Sequence, residues 1–364
     1  MSNRLNKVFD TESRSFNSTI LPNDEYLSKT GRVMDAYLSE HLAEGMLEGY
    51  LLTGRHGMFD SYEAFIRVVD SMVAQHAKWL KVCNEIDFRA DISSLNLILT
   101  SNVWQQDHNG FTHQDPGFLD HMANKKADVV RLYLPPDANC LLSCYEHCAK
   151  SKNYVNVIVS SKHPRGQWLS MDEAKEHCRL GAAEWKWAGL NDTKNPDVVI
   201  ACCGDTPTVE SLATVKLIKE YLPKLNVKFV NVVDLMKLVS NKAHSHGLTD
   251  NEYDKLFTTD KPIIFNFHGY PQLVHTLTYN RKNQNLHVSG YMEEGTITTA
   301  FNIRVMNGVD RYHQMLKVLK YVDIPKEDKN RIERIMNHKL AAHTKYINEH
   351  GVDTPEVANW KWED

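Results

Sequence analysis

Short, nearly continuous apolar runs recur along this chain, and segments with helical spacing lie between most of them. The strand-like runs are Arg32–Leu38, LNLILTS (95–101), VVRLYL (129–134), YVNVIVSS (154–161), DVVIACC (197–203), VKFVNVV (227–233), PIIFNF (262–267) and LHVSGY (286–291). Strands apolar on both faces and joined through helices predict parallel sheets covered on both sides. From Glu40, the residues Ala43, Met46, Leu47, Tyr50 and Leu51 follow helical spacing, and Gly54 is placed to end that helix. Glu44 and Glu48 continue from Glu40 at i+4 and i+8, a spacing that predicts a solvated face. After a glycine-containing loop, RHGMF, Ser61 reads as the N-cap of a helix whose apolar positions run from Tyr62 through about Leu80. Further helices are expected over 139–151, over 171–181 from the Ser170/Glu173 capping box, from Thr206-Pro207 to about Leu222, over 271–278, and along the charged tail at 328–349. The polar segment KWAGLNDTKNP (186–196) reads as a linker between two alternating sets. A chain of 364 residues also exceeds the size at which one core usually stops growing. The expected architecture is therefore α/β, with two domains at 1–170 and 171–364.

A net charge of −4 gives no electrostatic case for nucleic acid or an anionic membrane surface. No apolar run approaches the ~20 residues of a membrane helix. The opening MSNRLNKVFDTESRSFN is polar, without the apolar stretch of a signal peptide, so the cytoplasm is the expected location. Of seven cysteines, Cys140, Cys144 and Cys148 recur every fourth residue and share one helical stripe. They include no CxxC unit, and only His147 lies beside them, so buried free thiols are favoured over a metal set.

Polar residues gather where open α/β sheets bind ligands, beyond the carboxyl ends of the strands. There stand Ser39-Glu40-His41, Gln106-Asp107-His108-Asn109 and Lys162. Glu40 sits at a helix N-terminus, where the dipole favours a carboxylate whether it caps or reacts. Tyr62 and Phe65 lie three apart and share a face, as core residues or as a ring platform. The stretch HNGFTHQDPG (108–117) is denser in imidazole and amide groups than a loop without a task needs. Its histidines, His108 and His113, are not in a zinc-binding pattern. Lys162 could supply a positive charge for a phosphate.

Together these motifs resemble phosphoketolase. The resemblance runs through LSEHLAEGMLEGYLLTGRHG, SYEAF, VWQQDHNGFTHQDPG, YLPPDANCLL, SSKHPRGQW, GAAEWKWA, VNVVDLMKL, LFTTDKPIIF and GYMEEGTITT, and so spans essentially the whole chain. It implies a transketolase-like ancestry, with a domain holding the pyrimidine of thiamine diphosphate followed by a C-terminal domain. In that resemblance Glu40 matches the glutamate that hydrogen-bonds the pyrimidine, and Tyr62 and Phe65 match the aromatic residues around it. Asn109 and His113 match side chains that contact the sugar, His113 handling a proton near the cleaved bond. Lys162, Ser2 and Arg4 match substrate- or phosphate-binding positions, and His108 is the neighbouring family histidine.

The implied reaction is that of an aldehyde-lyase in pentose phosphate metabolism. Xylulose 5-phosphate or fructose 6-phosphate reacts with inorganic phosphate to give acetyl phosphate and an aldose phosphate. Two positions depart from the family pattern: Asn84 and Gln105 stand where arginines would give planar phosphate recognition. No GDG string for binding the diphosphate and Mg2+ occurs; the nearest, CGDT (203–206), lies in the second domain. The expectation is a C-terminal part that is inactive without an N-terminal diphosphate-binding domain, supplied in cis or in trans within a homo-oligomer. A non-catalytic remnant or binding domain, or part of a transketolase-type transferase, is the alternative. The isolated chain is also expected to expose an apolar interface.

Overall fold

The computed structural model describes residues 14–15, 19–23, 33–34, 37–104, 111–125, 128–293 and 296–362. Strands β1 (Arg14–Ser15) and β2 (Val33–Met34) form a small parallel pair. The first main sheet is wholly parallel, in the order β3-β4-β6-β5, from β3 (Met58–Ser61), β4 (Leu95–Leu99), β5 (Val130–Tyr133) and β6 (Val155–Val159). The second has the order β11-β10-β8-β9-β7, from β7 (Ala182–Glu184), β8 (Val198–Cys203), β9 (Val227–Val232), β10 (Ile263–Phe267) and β11 (Leu286–Ser289). Only β7 runs antiparallel to its neighbour, β9.

The strands are apolar on both faces because helices and the other sheet cover them. Leu97 and Val157 pair in register and are fully buried, as are Val199 and Phe267 in the second sheet. One hydrophobic core contains Leu97 and Val157 together with Val199 and Phe265, so apolar packing is continuous between the two sheets. The helices are α1 (Glu40–Leu52), α2 (Asp70–Glu85), α3 (Gly117–Ala123), α4 (Ala138–Lys150), α5 (Met171–Leu180), α6 (Asp205–Tyr221), α7 (Asp250–Phe257), α8 (Pro271–Thr278), α9 (Ala300–Met306), α10 (Arg311–Tyr321), α11 (Lys326–His350) and α12 (Pro355–Ala358). Glu210 of α6 is buried and receives Arg304 of α9 at 2.7 Å and Arg311 of α10 at 3.0 Å.

Several expected elements are placed differently. Met58–Ser61, expected as loop and N-cap, is edge strand β3 beside β4. The helix expected from Tyr62 begins only after a 3-10 turn over Ile66–Val69, so Tyr62 and Phe65 lie in the connection at the end of β3. Within the described part of 32–38 only Val33–Met34 is strand, and Tyr37 and Leu38 stand exposed. The linker at 186–196 packs instead on the second sheet, through the Leu190–Val227 bridge. Helix α6 starts at Asp205, capped by Gly204 at φ 105, rather than at the Thr206-Pro207 pair.

The largest reversal is on α1. Glu44 is 0% and Glu48 8% exposed, whereas Leu42, Met46 and Tyr50 are 41%, 39% and 49% exposed. Ser39 caps this helix by accepting a hydrogen bond from the Leu42 amide, and α1 buries Glu44 and Glu48 together with Leu51, with Leu47 packed on the core, while Met46 and Tyr50 face outward.

Candidate active site

The carboxyl ends of β3, β4 and β6 and of β8 and β10 lead into one constellation. Beyond β3, the rings of Tyr62 and Phe65 stack with centroids 5.8 Å apart at 29°. His113, from the loop between β4 and α3, lies against both, 4.7 Å from Phe65 and 5.9 Å from Tyr62. Lys162, just past β6, holds its ammonium 4.8 Å from the Tyr62 ring centre, a cation–π distance. Burial, and then the Lys162 charge, push the His113 imidazole below its ordinary value. The ring is therefore neutral near pH 7, with one nitrogen free to accept a proton. Its Nδ1 lies 2.8 Å from the Thr112 hydroxyl.

A second, buried layer holds this cluster from beneath. Glu63, between the two platform residues, is fully buried and takes the Val103 amide at 3.0 Å. It also receives Nε2 of His268, at 2.8 and 3.0 Å, from the end of β10. Burial alone would push the His268 imidazole down, but the Glu63 and Asp205 carboxylates hold it above its ordinary value. Asp205, at the end of β8, accepts from Arg165 Nε at 3.0 Å and from Asn102 at 3.4 Å. Burial alone would raise its carboxyl, but the charges of Arg165 and His268 outweigh that and keep it low. Trp104 donates its indole N–H to the His268 carbonyl at 3.1 Å, and Tyr291 donates to Gln114 at 3.1 Å. Arg67 pairs with Asp115 at 3.0 Å and Gly117 N–H donates to the same carboxylate, which fixes the far end of the histidine loop.

Of the residues singled out by sequence, Tyr62, Phe65 and His113 are in ring contact with one another, and Lys162 lies over the Tyr62 ring. Glu40 opens α1, and its carboxylate makes no hydrogen bond to another described residue. Asn84 stands exposed in the last turn of α2. Ser2, Arg4, Gln105, His108 and Asn109 lie outside the described residues. Sequence reading missed the supporting Glu63 and His268 and the role of Asp205. A glutamate set between two aromatic residues in SYEAF was the available signal for the first.

One turn beyond Glu40, Glu44 is pushed up to about 8 by burial and by its neighbour Glu48. His76 Nδ1 lies 3.4 Å from Glu48, and burial pushes His76 down to about 4. Cys140, Cys144 and Cys148 are buried free thiols on the inner face of α4, as their spacing predicts. Among the described residues no cluster of histidine, cysteine and carboxylate side chains could hold a metal ion, and no helix is long and apolar enough to cross a membrane.

Two parallel sheets with a shared polar cluster at their carboxyl ends define the class: this is a transketolase-like α/β fold. The chain matches a transketolase mutant from Pichia stipitis with a TM-score of 0.61 at 13% identity, over 81% of this chain and 38% of that one. It also matches a chain titled "Split gene transketolase, inactive beta4 tetramer" with a TM-score of 0.53 at 14% identity, over 80% of this chain and 83% of that one. Those identities speak to fold alone. Residues 1–151 match the family of D-xylulose 5-phosphate/D-fructose 6-phosphate phosphoketolase, and residues 162–362 match the C-terminal domain of the same family. Probable phosphoketolases from Clostridium acetobutylicum and Rhodopirellula baltica are 56% and 55% identical over 363 residues, all of this chain and 46% of each relative. The chain belongs to the phosphoketolase family and corresponds to its C-terminal part. It spans about half the length of the curated relatives it matches.

Proposed function

We propose that this chain supplies the pyrimidine-binding domain (1–170) and the C-terminal domain (171–364) of a cytoplasmic, thiamine-diphosphate-dependent phosphoketolase. The reaction takes xylulose 5-phosphate, or fructose 6-phosphate, and inorganic phosphate to acetyl phosphate, an aldose phosphate and water. The observation that carries this reading is the contact cluster of Tyr62, Phe65, His113 and Lys162 at the strand ends.

These residues suit half of the cofactor. The stacked Tyr62 and Phe65 rings offer an apolar face to a pyrimidine. The Glu40 carboxyl, without a described hydrogen-bond partner, can share a proton with a ring nitrogen, which accepts it. When bound, thiamine diphosphate supplies the nucleophilic carbon that cleaves a ketose beside its carbonyl. His113, neutral and half-buried, accepts and returns a proton near the cleaved bond. Lys162 fixes the sugar phosphate as a cation, and Ser2, Arg4, His108 and Asn109 complete the polar contacts. Asn84 and Gln105 recognise phosphate less tightly than arginines would.

The diphosphate and its Mg2+ call for a further domain, in the same polypeptide or on a partner, within a homo-oligomer. The exposed Leu42, Met46 and Tyr50 on α1 provide an apolar surface for it. A separate chain of this fold, described as inactive in its β4 form, is a precedent for such a division.

The test is acetyl phosphate formation by this chain mixed with a separately produced diphosphate-binding domain of the family, with thiamine diphosphate and Mg2+. Lys162→Met should raise KM for xylulose 5-phosphate at least tenfold, and His113→Asn should lower kcat about a hundredfold. An active mixture indifferent to both substitutions would refute the assignment.

A further inference from the structure

A second cleft, lined by none of Tyr62, Phe65, His113 and Lys162, lies between α4 and α5 and the residues that end β5 and follow β9. Its volume is about 360 Å³, and Cys144, Cys178, His147, Lys175 and Lys237 are among its lining residues. Lys175 and Lys237 bring positive charge to this lining and Asp234 a carboxylate. Cys178 is half-buried at its wall, and its sulfur lies 3.7 Å from that of Cys144, which is 3% exposed. The Cys178 thiol also reaches the carbonyl of Cys140 at 3.5 Å, which turns its sulfur toward the cysteine stripe of α4.

The other thiols differ. Cys148, Cys202 and Cys203 are buried in the core, and Cys202 packs against Thr208 and Asn231. Cys83 is half-buried on α2, with no second sulfur in contact among the described residues.

A disulfide needs sulfurs about 2.05 Å apart, so side-chain rotation must close a gap of about 1.7 Å. Cys140 and Cys144 are one helical turn apart on the face toward α5; Cys178 meets Cys140 at its carbonyl, whereas it meets Cys144 sulfur to sulfur. Cys178 is the less buried of the two and is reached by hydrogen-bonding thiol and carbonyl groups of α4; its thiolate is the form that reacts with peroxide.

We propose that Cys178 and Cys144 form a hydroperoxide-reactive dithiol site, with Cys178 attacking and Cys144 resolving. The Cys178 thiolate attacks one peroxide oxygen and the O–O bond breaks. With hydrogen peroxide the departing hydroxide takes the proton the thiol gave up, leaving water and a sulfenic acid. Cys144 then attacks the Cys178 sulfur, the S–O bond breaks, and the hydroxide leaves as water with the Cys144 proton. Each sulfur loses one electron overall, and the two peroxide oxygens gain both. The product ties α4 to α5, on either side of the 160–170 segment that carries Lys162. Asp137, the N-cap of α4, already holds that segment through the Trp168 and Leu169 amides at 3.1 and 3.0 Å.

The site is tested on the full chain, reduced and then exposed to hydrogen peroxide, by thiol titration in denaturant and by non-reducing peptide mapping. The expected result is loss of two of the seven thiols, a Cys144–Cys178 cross-linked peptide pair, and recovery with dithiothreitol. Cys144→Ser should leave Cys178 trappable as a dimedone adduct, and Cys178→Ser should abolish the cross-link, both variants keeping the near-ultraviolet circular dichroism of the parent. Retention of all seven thiols, or a cross-link through Cys140 or Cys83 instead, would overturn the proposal. The wild-type map decides the matter even where a variant fails to fold.

Discussion

Glu44→Gln isolates the buried acid pair beneath α1. In the folded chain the Glu44 carboxyl is pushed up from 4.5 to about 8, whereas the unfolded chain titrates near the ordinary value. Between those values the folded state keeps a proton that the unfolded state releases. Stability from this group is therefore fully present below about pH 4.5 and is lost as pH rises toward 8. His76 works in the opposite direction: held down to about 4, it stays neutral in the fold while the unfolded imidazole charges below about 6.5. The two slopes oppose each other between about pH 4.5 and 6.5; above 6.5 the His76 slope ends, and the Glu48 carboxyl, which burial also raises, adds to the Glu44 slope in wild type and variant alike. From pH 6.5 to 8 is 1.5 units at about 1.4 kcal/mol each, a ceiling of about 2 kcal/mol. Response of the water beside the exposed face of α1 brings the expected value to about 1 kcal/mol. Glutamine keeps the shape and cannot ionise. Urea unfolding followed by tryptophan fluorescence should show the stability gap between variant and wild type widening by about 1 kcal/mol from pH 6.5 to 8, in favour of the glutamine variant. A gap that stays constant or narrows would refute a buried, protonated Glu44.

Three further outcomes follow from the same geometry. Glu63→Gln removes the carboxylate bonded to buried His268, leaving Asp205 as its counter-charge, and should cost about 3 kcal/mol in urea unfolding, because a broken buried pair loses more than the intact pair contributes. Gly204→Ala should lower the melting temperature by several degrees, since an alanine there is held at φ 105 with its Cβ 2.8 Å from that of His268. Calorimetric titration of this chain alone with thiamine diphosphate and Mg2+ should give no stoichiometric heat, and a one-to-one signal would show that the chain holds the diphosphate by itself.

The strands were legible where burial on both faces left an unbroken apolar run, as in VVIACC and VNVIV. Edge strands β3 and β7 were not, because MFDS and AAE carry no such run. The capping box at Ser170 located α5, whereas the equivalent Thr249/Glu252 box of α7 went unread although the same signal was present. On α1 the helical period was right and Leu47 and Leu51 face the core, but Glu44 and Glu48 are buried with them rather than solvated. Periodicity shows that a helix has two faces, and which one is buried depends on what lies opposite, here His76 of α2. The site divides in the same way. The aromatic, imidazole and ammonium groups of the cluster stood out as motifs, while Glu63, Asp205 and His268 acquire meaning only when β8 and β10 bring the second sheet against the first.

The central claim is that this chain carries a competent half of a phosphoketolase site. The most direct measurement is acetyl phosphate formed from xylulose 5-phosphate and phosphate, by this chain alone and after mixing with the family's diphosphate-binding domain, thiamine diphosphate and Mg2+ present throughout. Activity only in the mixture, and its loss in Glu40→Ala, is the predicted result. No activity in the mixture with both partners folded and associated, or activity that survives Glu40→Ala, would contradict the account.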